Sequence, residues 1–244
     1  MVSEPLVFGT CVHYLAEKDL EAGEPRLDLL TNMNEWVEEI LTTQYDWSLA
    51  QVPNVRDFFD ELAGAYRLWR TQVRPSLKGT PLGVECEMRM YLGEGNRNRI
   101  HLQGTADVLY PSRLVDFKTS KRPWSQAKAD VSIQASLYMA LAKQVYDVEV
   151  KRMTFWNYAR SKREWLPIHT VRTVKQIDAA LLSAYEYGLQ IEAGIFPATP
   201  VPEASFQKKR GWYCSPQYCG AWNICPSKYM NDDVDEKVVA VRSW

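Results

Sequence analysis

The spacing of apolar and polar positions changes period several times along this chain, and each change predicts an element. Residues 84–92 alternate strictly, with Val84, Cys86, Met88, Met90 and Leu92 apolar, which predicts a strand with one buried face. A glycine-rich turn at 93–96 leads into a second strand over 100–110. A tight turn at Pro111-Ser112-Arg113 then gives a short third strand, so the middle of the chain reads as an antiparallel meander. Helical spacing appears from Gly9 to Leu20, with Val12, Leu15, Ala16 and Leu20 as its stripe, and around 36–41. It returns over 54–73, where Asn54 stands at the cap and Pro75 beyond the end. Residues 1–8 offer little structure. A long helix is predicted over 125–146 on a core stripe of Ile133, Leu137, Leu141 and Val145. Two strands follow, over 148–158 and 165–171, and then a helix capped by Thr173, carried by Ile177, Leu181, Ala184, Tyr187 and Ile191, and stopped near Gly194. The sum is a mixed α/β domain.

The third strand holds the candidate chemistry. Alternation puts Asp116 and Lys118 on one face and Val115 and Phe117 on the other, a polar face backed by a core face. Asp107 ends the incoming strand, and the turn folds it back beside Asp116. Two carboxylates and an ammonium at neighbouring strand ends suit a hard divalent cation held against a phosphate, with the lysine orienting water or offsetting charge. Taken alone, Asp-x-Lys more often describes a strand-end ion pair, since charged pairs there are common and rarely catalytic. Gln134 and Tyr138, four apart, share one row of the next helix, and by themselves they read as a core-edge phenol and a solvated amide. His13 stands at the edge of the first helix's apolar stripe.

Composition sets limits. The 244 residues are 46% apolar and 24% charged, enough for one large globular domain, with or without a small appendage. A formal charge of −1 gives no global pull towards nucleic acid, so a polyanion site needs local basic clusters to converge in space. Candidates are Arg97 with Arg99; Lys118, Lys121 and Arg122; Arg160, Lys162 and Arg163; and Lys208, Lys209 and Arg210. No apolar run matches a membrane span and no signal peptide is evident, so a soluble, cytoplasmic protein is expected. Cys214, Cys219 and Cys225 lie close together among interleaved aromatics, which reads as a metal or iron–sulfur ligand set in a reducing compartment.

Five pieces fall in a telling order: Gly9-Thr10-x-x-His13, Gly104-x-x-Asp107, Asp116-Phe117-Lys118-Thr119, Gln134-x-x-x-Tyr138 and the late cysteine triplet. Together, from residue 9 to residue 226, they resemble the RecB-like branch of the PD-(D/E)xK nucleases. That branch includes nuclease domains of bacterial recombination complexes, iron–sulfur nucleases of CRISPR adaptation and stand-alone phage exonucleases. The resemblance implies a restriction-endonuclease-like core, a mixed central sheet flanked by helices, over 1–204. It also implies a cysteine-rich staple at 205–230 and a tail at 231–244. It makes His13, Asp107 and Asp116 side-chain ligands of a catalytic Mn²⁺ or Mg²⁺, with the Phe117 carbonyl a further ligand. Lys118 becomes the residue that positions or activates water, and Gln134 and Tyr138 become the pair that contacts DNA or supports the lysine. Glu85 falls where relatives often carry a glutamate. The cysteines imply a [4Fe-4S] cluster, with Zn²⁺ as the alternative. Cluster-bearing relatives place their first cysteine well before the Gly-Thr-x-x-His helix, whereas here only eight residues precede Gly9. The fourth ligand is then Cys11, a replacement residue, or a cysteine upstream of this start.

The function implied is a metal-dependent exonuclease acting on DNA ends or single strands with little sequence preference, in recombination, repair or phage DNA processing. A recombination-complex partner or a second copy of the chain is a further possibility. The competing readings are a catalytically silent DNA-binding subunit and a zinc-stapled interaction protein.

Overall fold

The computed structural model describes residues 4–23, 28–45 and 52–195. The chain divides at Ala193, and the unit Val2–Glu192 holds the described strands and helices. The boundaries expected near 204 and 230, the basic run 208–210, and Cys214, Cys219 and Cys225 lie outside the described residues.

The meander forms as its alternation predicts. Strand β1 (Gly83–Glu94) pairs antiparallel with β2 (Arg99–Tyr110), and β2 pairs with β3 (Arg113–Ser120). A crossover through α5 (Gln126–Asp130) and α6 (Ile133–Tyr146) returns the chain to β4 (Arg152–Ala159), parallel to β3, and β5 (Glu164–Thr170) closes the far edge. The result is a five-stranded mixed sheet in the order β1-β2-β3-β4-β5, an α/β fold consistent with a restriction-endonuclease-like core.

Both faces of the sheet are covered. Helices α1 (Glu4–Ala22), α3 (Met33–Tyr45, after a single turn α2, Asp28–Thr31) and α4 (Val55–Leu68) pack with Phe117, Tyr158 and Trp165 in one core. Helix α6 packs with Met88, Leu114 and Phe155 in the other, and α7 (Val174–Glu192) lies beside α6. The polar face expected for β3 is therefore not open: Asp116 is 1% exposed, beneath α6.

Several boundaries differ from the sequence expectation, each for a tertiary reason. Helix α1 begins at Glu4, because Phe8 packs on Phe58 and Tyr158 and Glu4 is paired by Arg160 from the β4–β5 turn. Past Leu68 the predicted helix continues as a π-helical turn, Trp69–Val73, and a 3₁₀ turn, Arg74–Ser76. The helix expected over 125–146 breaks at Val131–Ser132. Arg172 reaches into the break and donates to the carbonyls of Ala129 and Ser132, each at 2.9 Å. In α6 the buried stripe is Ala135, Met139, Leu141 and Ala142, while Ile133 and Val145 are exposed. Small residues let this helix lie close on the sheet, which turns the Gln134–Tyr138 row towards β2 and β3. On α7, Tyr187 and Ile191 are likewise exposed.

The feature that shapes the site is a fork. Strands β2 and β3 pair only through Val108↔Val115, Leu109↔Leu114 and Tyr110↔Arg113, and then separate. Beyond Val108 the chain of β2 stays with β1, and that of β3 stays with β4.

Candidate active site

Asp107 and Asp116 stand on opposite prongs of the fork, immediately past its last pair. Where a ladder bond would have continued, Asp107 Oδ2 accepts from the backbone N–H of Phe117, so the carboxylate bridges the gap. A buried N–H needs such a partner, and the bridge fixes the Asp107 carboxylate in turn.

Asp116 is held from two sides. Gln134 Nε2, on α6, donates to Oδ1 at 2.8 Å, and Lys118 Nζ, two residues along β3, sits 2.7 Å from Oδ2. At that distance the ammonium meets the buried Oδ2 as both counter-charge and donor. Tyr138, one turn beyond Gln134, lies over Gly104. A Cβ at residue 104 would stand 2.8 Å from Tyr138 Cε1, so the missing side chain is what admits the ring. The Gly-x-x-Asp spacing thus has a physical cause.

From the other face of the sheet, α1 delivers His13. Its ring meets Phe117 edge-on at 6.2 Å, and Nδ1 is 3.4 Å from Asp107 Oδ1. Glu85 completes the group. It stands across the β1–β2 ladder from Asp107, between Val84↔Val108 and Cys86↔Ala106. Its backbone is left-handed, at φ +47°, a conformation that costs a residue with a Cβ of order 1 kcal/mol or more and that gathers at functional sites. The same position marks a change of face: Val84 and Val108 belong to the α1-side core, and Cys86 and Ala106 to the α6-side core. One ligand atom each from His13, Glu85 and Asp107 lie within 4.8 Å of one another, a spacing that suits a single cation. Asp116 is outside that trio and adjoins it through Asp107.

Of the sequence-predicted residues, the fold therefore brings His13, Asp107, Asp116, Lys118, Gln134 and Tyr138 to the fork. Phe117 comes by its N–H, while its ring is buried in the α1-side core. Glu85 had only a resemblance to recommend it, because a strictly alternating strand hides a residue whose backbone reverses. Cys11 lies apart from the fork, and its place relative to Cys214, Cys219 and Cys225 lies outside the described residues. Cys11 is fully buried in the α1-side core, and burial pushes its thiol up to about 12, so it packs as a small hydrophobe.

Crowding of acids in a dry cleft sets the protonation pattern. Burial, and then Asp107, push Asp116 up to about 7, and the same two causes push Glu85 up to about 7. For His13, burial opposes the charged ring, but Asp107 and then Asp116 more than offset it and raise the imidazole to about 9. Burial likewise opposes the Lys118 charge, yet Asp116 holds the ammonium above its ordinary range. The cluster thus carries protons that a cation would displace.

A match to the PD-(D/E)XK nuclease superfamily runs over residues 2–226. The chain belongs to that superfamily, whose members generally use Mg²⁺ or Mn²⁺ and act on DNA. Among solved structures it is similar to a Eubacterium rectale protein provisionally described as an exonuclease, at 15% identity and a TM-score of 0.47, over 80% of this chain and 70% of that one. It is also similar to the protein SSO0001, at 14% identity and a TM-score of 0.40, over 88% and 95% of the two chains. No curated protein matches the sequence. Among the described residues, no helix is long and apolar enough to cross a membrane.

Proposed function

We propose that this chain is a metal-dependent deoxyribonuclease whose centre is the fork between β2 and β3. The observation that carries the reading is the meeting of His13, Glu85 and Asp107 within 4.8 Å, beside a buried Asp116 whose Oδ2 lies 2.7 Å from the Lys118 ammonium. Acids crowded this closely in a dry site are what a divalent cation would satisfy. His13, Asp107 and Asp116 would hold it, with Glu85 and the Phe117 carbonyl as further ligands. An imidazole among carboxylates favours Mn²⁺ over the harder Mg²⁺. When bound, the cation supplies Lewis acidity towards a phosphoryl oxygen and lowers the pKa of water.

The protein's own residues do the rest. Asp116 keeps Lys118 charged, so the ammonium acts as a donor that orients a water and offsets the charge building on the phosphate. Gln134 anchors Asp116 through Oδ1, while Lys118 meets its Oδ2. Tyr138, pressed against Gly104, is the group on α6 best placed to touch a strand lying along the fork.

The order of motifs supports the RecB-like branch, and with it an exonuclease acting on ends or single strands. The cluster reading rests on Cys214, Cys219 and Cys225 and needs a fourth ligand, for which Cys11 is one candidate. The test is cleavage of end-labelled linear and of circular single-stranded DNA in Mn²⁺. Wild type should degrade the linear form and spare the circle, and Asp116→Ala and Lys118→Ala should each be inactive while folded. Wild-type rates in either variant would remove the site, and equal cutting of the circle would remove the exonuclease assignment.

A further inference from the structure

Two of the basic clusters scattered along the sequence do converge. Where β3 and β4 end side by side, a pocket of about 460 Å³ is lined by Thr119, Ser120 and Lys121 from one strand end and by Arg160, Ser161 and Arg163 from the other. The strand ends are locked together: Arg160 N–H donates to Ser120 O and Ser161 N–H to Lys121 O, both at 2.9 Å. Behind them the fully buried Asn157 amide donates to Ser120 Oγ at 2.8 Å and accepts from Trp124 N–H at 2.9 Å, fixing the turn that follows Lys118.

The charges in this pocket are of two kinds. Arg160 is spent: its guanidinium is forked onto Glu61 at 2.9 and 2.6 Å and onto Glu4 at 3.1 and 2.8 Å, and with Lys121 and Arg163 the lining's three cations exceed its two acids by one charge. Lys121 and Arg163 have no ion-pair partner among the described residues, and both are exposed. Arg163 also adopts a left-handed backbone at φ +53°, where glycine would sit without strain. A strained turn that presents an uncommitted arginine asks for a use of its side chain.

The pocket adjoins the fork. Ser120 follows Lys118 by two strand residues, about 7 Å. Helix α1 links the two places: its first turn lines the pocket, Gly9 crosses β3 close to Thr119 Oγ1, and His13 lies about 14 Å along from Glu4.

We infer that this pocket is a phosphate subsite for the nucleic-acid strand, in which Lys121 and Arg163 grip a backbone or terminal phosphate next to the one cut at the fork. It rests on the nuclease reading for its ligand, but its test does not need turnover. Binding of a fluorescent single-stranded oligonucleotide is measured by anisotropy in EDTA across a salt series, for wild type, Lys121→Ala, Arg163→Gly and the double variant. Lys162→Ala, in the same turn but paired with Glu164 and absent from the lining, is the control.

The single variants should weaken binding severalfold and flatten the slope of log affinity against log salt by about 0.7 each, as for one lost single-strand contact. The control should match wild type. Arg163→Gly should melt at or above the wild-type temperature, because it relieves the left-handed residue, so its loss of binding is not a loss of fold. Oligonucleotides with and without terminal phosphates separate the sources: a terminal phosphate makes the loss depend on end chemistry, and a backbone phosphate makes it the same for all. Wild-type slopes in both single variants would overturn the subsite. A wild type that cleaves nothing, with these losses intact, would overturn the nuclease reading alone.

Discussion

Gln134 Nε2 lies 2.8 Å from Asp116 Oδ1, so an amide on α6 holds the carboxylate that Lys118 touches through its other oxygen. Partners of this kind orient a ligand without binding the metal, and their loss costs about 10- to 100-fold in activity or metal affinity. Gln134→Ala should therefore cut Mn²⁺-dependent cleavage by that range and raise the Mn²⁺ concentration for half-maximal rate, with the fold retained. An unchanged metal requirement would show that Asp116 needs no anchor.

Gly104 and Tyr138 form a matched pair. Gly104→Ala places a Cβ against the ring at 2.8 Å and should destabilise the fold by about 1–3 kcal/mol while lowering activity. Adding Tyr138→Ala should restore much of the stability but not the activity. Denaturant unfolding of the two single variants and the double variant gives the coupling. Additive effects would mean the glycine serves some other purpose.

Glu85 stands in a conformation suited to glycine. Glu85→Gly should raise unfolding free energy by about 1 kcal/mol in the metal-free protein, since it removes both backbone strain and an acid beside Asp107. It should also weaken Mn²⁺ binding in a calorimetric titration. Gain in stability with loss of metal is the signature of a strained functional residue, and unaltered Mn²⁺ affinity would exclude Glu85 from the centre.

The protonation pattern predicts a pH dependence. Asp116 keeps its proton in the metal-free fold up to about 7, and the unfolded chain releases it near the ordinary carboxylate range. Its contribution to stability therefore falls as pH rises through that window. His13, raised to about 9, contributes stability that is complete below its ordinary value near 6.5 and is lost as pH rises through about 9. Both terms weaken the metal-free protein in the same direction, and a cation binds best when both protons are gone. The rise in Tm given by saturating Mn²⁺ should thus be larger at about pH 8 than at about pH 6. An equal rise at both would mean that neither group meets the ion.

Much of this architecture was legible because its signals are local. The alternation from Val84 to Leu92 marks a strand, Asn54 accepts from Asp57 N–H as a cap should, and Thr173 forms a reciprocal capping box with Gln176. The acids and the lysine of the site were legible from spacing, and His13, Gln134 and Tyr138 only through the company they keep. What could not be read depends on distant partners. Arg160 reads as a free basic residue, yet Glu4 and Glu61 occupy it, and the same contacts carry α1 back to Glu4. The α5–α6 break needs Arg172 from another loop, and the apolar stripe expected for α6 held at Leu141 but not at Ile133 and Val145, because Ala135, Met139 and Ala142 take the buried face instead. Glu85 was marked only by the resemblance, because a backbone reversal leaves no trace in an alternating pattern.

The central claim is that an imidazole from α1 and carboxylates from the β1–β2–β3 fork share one cation. Its most direct test is anomalous diffraction from crystals soaked in Mn²⁺. The account predicts one strong peak within coordination distance of His13 and Asp107, absent from crystals of Asp107→Ala. No peak at the fork, or a peak that survives in that variant, would contradict it.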